Sequence, residues 1–225
     1  MKLNLNLLLI ITASFTAAQS QTLQNNTDSL SYALGQDIGR SLKGTDVQLN
    51  TQVLVSSLSA ALNGQTSIFG QEEGMEIIQQ AMKKAYDDKL SKSIQANTDF
   101  LRNNSTKPGV HTTPEGLQYQ VLHQGDGASP TTADEVEVHY EGTLIDGKKF
   151  DSSYDRQETI TLALDRVIEG WKIGIPLMKV GSKYRFFVPA SLGYGERPSP
   201  EIPPHSTLIF DVELISIKSK ADEAS

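Results

Sequence analysis

Few side chains of this 225-residue chain have the types and spacing that covalent or metal chemistry needs. The chain has no cysteine, and its four histidines are His111, His123, His139 and His205. These positions show no spacing typical of metal ligands. The adjacent serines Ser152 and Ser153 have no histidine partner that the local motif suggests. We therefore predict no metal, no cofactor and no serine nucleophile.

The only tryptophan, Trp171, ends the hexapeptide RVIEGW, which covers residues 166–171. It follows a short alternating apolar run and precedes a helix-like stretch that Pro176 ends. A single tryptophan near the start of a helix is most often a core side chain. The alternative is that it lines a binding site, and the hexapeptide alone does not decide between the two.

The first residues have the three regions of a secretory signal peptide. Lys2 is followed by an apolar run from Leu5 to Ile11, which is too short to span a bilayer, and by small residues around Ala18. We predict a cleaved signal peptide over residues 1–18, a disordered N-terminus over 19–27 and a disordered tail over 218–225. The protein is then exported, without stable membrane insertion and without a lipid-bearing cysteine.

The formal net charge is −7, and lysine and arginine form no cluster in the sequence. This argues against nucleic-acid binding, because such proteins carry a basic patch. Scattered acidic charge of this size is typical of an ordinary soluble surface.

The N-terminal half has helical periodicity, and we predict three helices in it. The first starts at residue 28, with Thr27 or Asp28 as its cap, and places Leu30, Leu34 and Ile38 on one face. The second covers residues 51–62 and ends at Asn63-Gly64. The third runs from residue 71 to about residue 102.

A third helix of about 45 Å is too long for two shorter helices to cover its apolar stripe. We expect a second copy of the chain to cover its N-terminal turns. The prediction is a homodimer through a helical domain at residues 28–70, with a long helix and linker at 71–112. The polar end KSIQANTDFLRNNS is expected to be a solvated spacer.

After the segment TKPGVHTTPEG, which ends at residue 116, the hydrophobic period changes from helical to two. In VEVHY the inward side chains are Val136, Val138 and Tyr140, with Glu137 and His139 outward. Asp146-Gly147 is a strong hairpin signal, and LIFDVEL turns Phe210 inward. Only one short helix, at RVIEGW, is available to cover one face of these antiparallel strands. The fold class is therefore α+β, with a sheet that curls around that helix over residues 113–217.

The motifs VHYEGTLIDGKKFDSSYDR, VIEGW, LMKVGSKYRFFVPASLGYG and IPPHSTLIFDVEL cover nearly all of residues 115–217. In this order and spacing they resemble the FKBP family of peptidyl-prolyl isomerases. The N-terminal half, with DSLSYALGQDIGRSL, is similar to the dimerisation arm of exported Mip-type members. The resemblance implies an all-helical dimerisation arm, a long linking helix and a curled antiparallel sheet wrapped around one short helix.

The resemblance also implies a pocket whose floor is Trp171, on which a substrate proline ring lies. The catalytic residues that it implies are Asp151, Tyr194, Phe150, Phe210 and Trp171. The substrate-binding residues that it implies are Tyr140, Arg156, Ile160, Val167, Ile168 and Ile202. Donors to substrate carbonyls are expected from the Ile168 backbone N–H and the Tyr194 hydroxyl.

Asp151 has two interpretations within this pocket. It pairs with Arg156 and bonds Tyr140 to fix the hairpin, or its oxygen faces the carbonyl before the proline; both can hold. The chain departs from the family pattern at Ile160, where many members have an aromatic residue. The loop GERPSPEIPP also differs, and it is expected to place Arg197, Pro198, Pro200 and Glu201 over the site.

The function that the resemblance implies is peptidyl-prolyl isomerisation that assists the folding of exported proteins, with a periplasmic location. Its partners are proline-containing unfolded polypeptides. An apolar aromatic box would remove water from the X-Pro imide and so favour its twisted state. The alternative is a non-catalytic holdase whose helical arms bind unfolded clients.

Overall fold

The computed structural model describes residues 22–197 and 199–218. The predicted signal peptide, residues 19–21, Pro198 and residues 219–225 of the predicted tail lie outside the described residues. The chain divides into two compact units, the first ending at Ile68 and the second beginning at Phe69.

The first unit contains helices α1 (Asn26–Lys43) and α2 (Thr51–Leu62). The bounds predicted for α2 are confirmed. The predicted cap of α1 is wrong, because Asn25 Oδ1 accepts the N–H of Asp28 at 2.9 Å and the helix starts two residues early. The N-terminal disorder predicted up to residue 27 therefore does not reach Asn26. Neither helix contains a buried residue.

Helix α3 (Gln71–Asn104) belongs to the second unit, and its last turns pack against the sheet. The Phe100 ring lies 6.0 Å from the Phe187 ring. Asn97 is 7% exposed, and its Oδ1 accepts the N–H of Thr207 at 2.7 Å. The prediction of a solvated spacer is therefore wrong for one face of this segment, because Asn97 and Asn104 are buried and bond to Thr207 and Gln118.

The β-strands among the described residues form one antiparallel sheet. Its strands are β1 (Val110–Thr112), β2 (Gln118–His123), β3 (Glu135–Thr143), β4 (Lys149–Ser152), β5 (Ile160–Ala163), β6 (Lys183–Val188) and β7 (Leu208–Lys218). The strand order is β1-β2-β6-β7-β3-β4, and β5 also pairs with β3. Two predicted boundaries shift, because β1 falls in the predicted linker and β7 reaches Lys218 of the predicted tail.

The predicted alternation of β3 is confirmed, since Val136, Val138 and Tyr140 are buried and the side chains between them are partly exposed. The predicted hairpin also forms at Asp146-Gly147, where Gly147 has a φ of +85°. Helix α4 (Glu169–Gly174) covers the inner face of the sheet. The predicted architecture, a sheet curled around one short helix after a helical N-terminal part, is confirmed.

The Asn97 bond predicts an effect on stability. In Asn97→Ala, the N–H of Thr207, a residue only 1% exposed, loses its acceptor. We expect the free energy of unfolding to fall by about 1–3 kcal/mol in urea denaturation. Asn103→Ala on the exposed side of the same helix is the matched control and should change it by less than about 0.5 kcal/mol. Equal effects of the two substitutions would contradict this account.

Candidate active site

Two glycines let α4 approach the sheet closely. A Cβ added to Gly170 would lie 2.5 Å from Val188 Cγ1, and one added to Gly174 would lie 2.6 Å from Phe186 Cε1. These glycines stand four apart and so share one face of the helix. Trp171 therefore lies on an adjacent part of the helix surface, beside the inner face of the sheet.

The Trp171 indole forms the floor of an aromatic cluster. Its ring lies 5.3 Å from the Tyr140 ring and 5.1 Å from the Phe210 ring, in edge-to-face arrangements. Phe150 meets Phe210 in the same way at 5.5 Å. Rings arranged edge-to-face attract each other beyond their burial. Gly142 makes room for this cluster, because a Cβ there would lie 2.6 Å from Phe150.

The cluster lines a cavity of about 510 Å³. Ten predicted site residues line it: Tyr140, Phe150, Asp151, Ile160, Val167, Ile168, Trp171, Tyr194, Ile202 and Phe210. Arg156 does not line this cavity, and it instead contacts Asp151 and Tyr140 from the side. Trp171 is 5% exposed, so most of the indole is packed and a small part of its surface is open.

Sequence reasoning missed some lining residues and misplaced others. Leu162, Arg166 and Ser199 also line the cavity. The alternation of Ile160 with Leu162 and the position of Arg166 just before Val167 are signals that would have found the first two. Of the loop expected over the site, Glu201 lines the cavity, whereas Arg197 and Pro200 do not.

Asp151 is held by two neighbours. Its Oδ1 accepts from the Arg156 guanidinium at 2.6 Å, and its Oδ2 accepts from the Tyr140 hydroxyl. Arg156 also donates to the Tyr140 hydroxyl oxygen at 3.0 Å. The contacts of the first interpretation of Asp151, pairing with Arg156 and bonding Tyr140, are therefore present.

The network sets the protonation of both acids. Burial alone would raise the pKa of the Asp151 carboxyl, but the hydrogen bonds from Tyr140 and Arg156, the positive charge of Arg156 and a backbone hydrogen bond from Ser152 together hold that pKa below its ordinary value. Burial, with donation to Asp151, raises the pKa of Tyr140. At neutral pH the cavity wall therefore carries an ionised carboxylate and a neutral phenol.

The indole and the rim tyrosine offer two further donors. Trp171 Nε1–H is buried and has no hydrogen-bond partner among the described residues. Tyr194 is 49% exposed at the rim of the cavity. A buried N–H without an acceptor is uncommon in folded proteins.

Ser153 has a histidine neighbour that the local motif did not suggest. His139 Nδ1 lies 2.9 Å from Ser153 Oγ, which also accepts the N–H of Tyr140 at 2.8 Å. The geometry of the hairpin brings these residues together, and no local sequence motif indicates this contact. Ser153 is 0% exposed, so its hydroxyl holds the backbone of β3 and does not face the cavity.

A second cavity, of about 590 Å³, lies on the outer face of the sheet beside the end of α3. Its lining includes Phe187, Ile209 and the ion pair of Arg185 with Asp211. It is larger than the aromatic cavity but holds none of the predicted site residues. We therefore place the candidate active site in the aromatic cavity.

The family of the chain follows from comparison with known proteins. Residues 127–215 match the family model described as FKBP-type peptidyl-prolyl cis-trans isomerase. Residues 27–121 match the domain amino terminal to FKBP-type peptidyl-prolyl isomerase. The chain is 42% identical over 204 residues to the FKBP-type peptidyl-prolyl cis-trans isomerase FkpA of Aeromonas hydrophila, covering 84% of this chain and 76% of that protein. It therefore belongs to the FKBP-type peptidyl-prolyl cis-trans isomerases and is an enzyme of that class.

Other relatives extend the likeness to the whole chain. The peptidyl-prolyl cis-trans isomerase Mip of Coxiella burnetii is 39% identical over 213 residues, covering 91% of this chain and 93% of that protein. The crystal structure of FkpA from Escherichia coli matches with a TM-score of 0.71 at 33% identity, covering 88% of this chain and 99% of that one. Within the described residues, the helices all lack the length or the apolar character that crossing a membrane requires.

The lowered pKa of Asp151 predicts a dependence of stability on pH. Because the folded pKa lies below the unfolded value near 3.8, the network stabilises the fold above about pH 4. This stabilisation is lost as the pH falls through the folded pKa. We expect the free energy of unfolding to fall less between about pH 6 and pH 3 in Asp151→Asn than in the wild type. Asp126→Asn, at an exposed carboxylate outside the network, is the control and should keep the wild-type slope.

Proposed function

We propose that the protein binds proline-containing segments of unfolded exported polypeptides in the aromatic cavity and isomerises their X-Pro bonds there. The observation that supports this proposal is the set of edge-to-face rings around Trp171, which line an open space of about 510 Å³. Such a space is large enough for a five-membered ring with its neighbouring peptide groups. The indole is then a platform for the proline, not only a core side chain.

The proposed mechanism rests on the polarity of the amide. Rotation about the peptide bond meets a barrier of about 18–20 kcal/mol, because resonance holds the bond planar and separates charge. Water stabilises that charge separation. A lining of Trp171, Phe150 and Phe210 excludes water, so the planar state loses more stabilisation than the less polar twisted state. This chemistry needs neither a base nor a nucleophile.

Polar groups at the wall are proposed to hold the peptide in register. We assign this role to the Tyr194 hydroxyl and to the backbone N–H of Ile168, each donating to a substrate carbonyl. Asp151 already accepts from Arg156 and Tyr140, which supports the interpretation that it fixes the hairpin. Because Asp151 also lines the cavity, we propose in addition that its charge faces the carbonyl before the proline.

Adjacent residues on β7 allow a sharp test of the site. Phe210 lines the aromatic cavity, whereas Ile209 lines the cavity on the opposite face. We expect Phe210→Leu combined with Asp151→Ala to lower kcat/KM about tenfold or more, in a protease-free assay on an Ala-Leu-Pro-Phe peptide. Ile209→Leu should leave the rate near that of the wild type. An unchanged rate in the double variant, with its fold intact by circular dichroism, would exclude this cavity as the site.

We further propose that the helical arm forms a homodimer. Helices α1 and α2 contain no buried residue, and Leu30, Leu34 and Ile38 on one face of α1 are 61%, 54% and 43% exposed. On α3, Met75 and Ile78 are 54% and 58% exposed. This much apolar surface on amphipathic helices supports association with a second copy.

Charged substitutions on the apolar face of α1 test the predicted dimer. Leu34→Lys with Ile38→Lys should convert a dimer to a monomer in sedimentation velocity, because lysines at these positions would have to be buried without partners. Gln36→Lys on the same helix is the control and should remain dimeric. A wild-type chain that sediments as a monomer, yet suppresses aggregation of an unfolded client, would favour the holdase interpretation instead.

Export to the periplasm and assistance to folding there are part of the proposal. They are supported by the three-region leader of the sequence and by relatives that include a protein named outer membrane protein MIP, from Legionella longbeachae. The clients would then be proline-containing chains that fold after export.

A further inference from the structure

We propose that Arg166 makes the enzyme selective for client segments with an acidic side chain next to the proline. This inference rests on the proposed function of the aromatic cavity as the binding site. Arg166 lines that cavity, and it directly precedes Val167 and Ile168, which form part of the wall. Its side chain is 78% exposed, so the guanidinium is accessible to a bound segment.

The three charged residues that line the cavity differ in how they are neutralised. Asp151 accepts from Arg156 at 2.6 Å, and Glu201 pairs with Lys148 at 2.8 Å. Both carboxylates therefore have a cation at hydrogen-bond distance.

Arg166 has no comparable partner within the described residues. Its nearest carboxylates, on Glu135 and Asp165, lie 3.9 and 3.8 Å away. Charge-assisted hydrogen bonds measure about 2.7–2.9 Å, so neither carboxylate engages the guanidinium as a hydrogen-bond acceptor. The donors of Arg166 remain available to a ligand.

The chemistry of the available group defines the ligand. A guanidinium presents a planar fork of donors that matches a carboxylate, and it stays protonated at all physiological pH values. The chain as a whole carries excess negative charge, with a formal net charge of −7, and so disfavours acidic segments in general. Among the described residues that line the cavity, Arg166 is the only cation, so an acidic client side chain can pair with its guanidinium at hydrogen-bond distance.

Two peptide series test the proposal by nuclear magnetic resonance exchange spectroscopy, which needs no coupling protease. The first places glutamate, glutamine or lysine before the proline in Ala-Xaa-Pro-Phe. The second places the same residues after it in Ala-Leu-Pro-Xaa. We expect kcat/KM for the glutamate peptide to exceed that for the lysine peptide by about threefold to tenfold in at least one series, which identifies the side of the proline that Arg166 contacts. High salt should reduce the ratio.

Substitutions of Arg166 test whether this residue causes the preference for glutamate over lysine. Arg166→Gln should bring the glutamate-to-lysine ratio close to one, and Arg166→Glu should invert it. Arg102→Gln removes an exposed arginine on α3, outside the cavity lining, and should keep the wild-type ratio.

The outcomes separate this proposal from the proposed function. A glutamate-to-lysine ratio of one in the wild type, or one that Arg166→Gln does not change, overturns the selectivity. A loss of rate in Phe210→Leu with Asp151→Ala would still support the cavity. If Phe210→Leu with Asp151→Ala leaves all rates unchanged, the cavity itself is not the site. A preference for the lysine peptides would also overturn the assignment.

Discussion

The close approach of α4 to β6 is the contact on which the rest of the site depends. Gly170 and Gly174 leave no room for a Cβ against Val188 and Phe186, so the helix backbone rests directly on core side chains of the sheet. A helix placed farther out would lift Trp171 away from the Tyr140 and Phe210 rings that hold it. The position of the cavity floor therefore depends on the missing side chains of Gly170 and Gly174 as well as on the large ring of Trp171. A packed interior tolerates such additions poorly, because neighbouring side chains have little space to yield.

Strand β3 positions the polar wall of the site, and both faces of the strand contribute to it. Tyr140 points inward and donates to Asp151, which the Arg156 guanidinium also holds. The backbone N–H of the same Tyr140 is bound by Ser153, whose hydroxyl lies beside His139 on the outer face. The hairpin between β3 and β4 is thus fixed at the position where its carboxylate enters the cavity. Because the Asp151 charge is satisfied at the edge of the cluster, the rings can surround an apolar space without an unpaired carboxylate among them.

Periodicity was enough to predict the elements and the inward faces, because alternation and hairpin signals are local properties of the chain. Placing the site residues required the motif resemblance, since residues as distant as Tyr140 and Phe210 meet only through strand register. The failures share a physical cause. The Asn97 bond to Thr207 joins residues 110 apart, and a polar helix end gives no sign that its amides will satisfy buried backbone groups. Arg156, which the motif assigns to the substrate, does not line the cavity and instead contacts Asp151 and Tyr140.

Helix α3 connects the geometry of the cavity to the proposed dimer. Its last turns are fixed to the sheet through Asn97, which accepts the N–H of Thr207, the residue immediately before β7. Its first turns leave Met75 and Ile78 more than half exposed. If a second copy covers these turns, the distance from the dimer interface to the cavity is set by a helix of about 50 Å and not by a flexible linker. When an unfolded client is bound in one cavity of such a dimer, the second cavity has a raised effective concentration for the rest of that client. This gain applies only to clients long enough to reach both cavities. Short peptides would gain nothing from the arm, so an advantage limited to long clients is the physical consequence of a rigid α3.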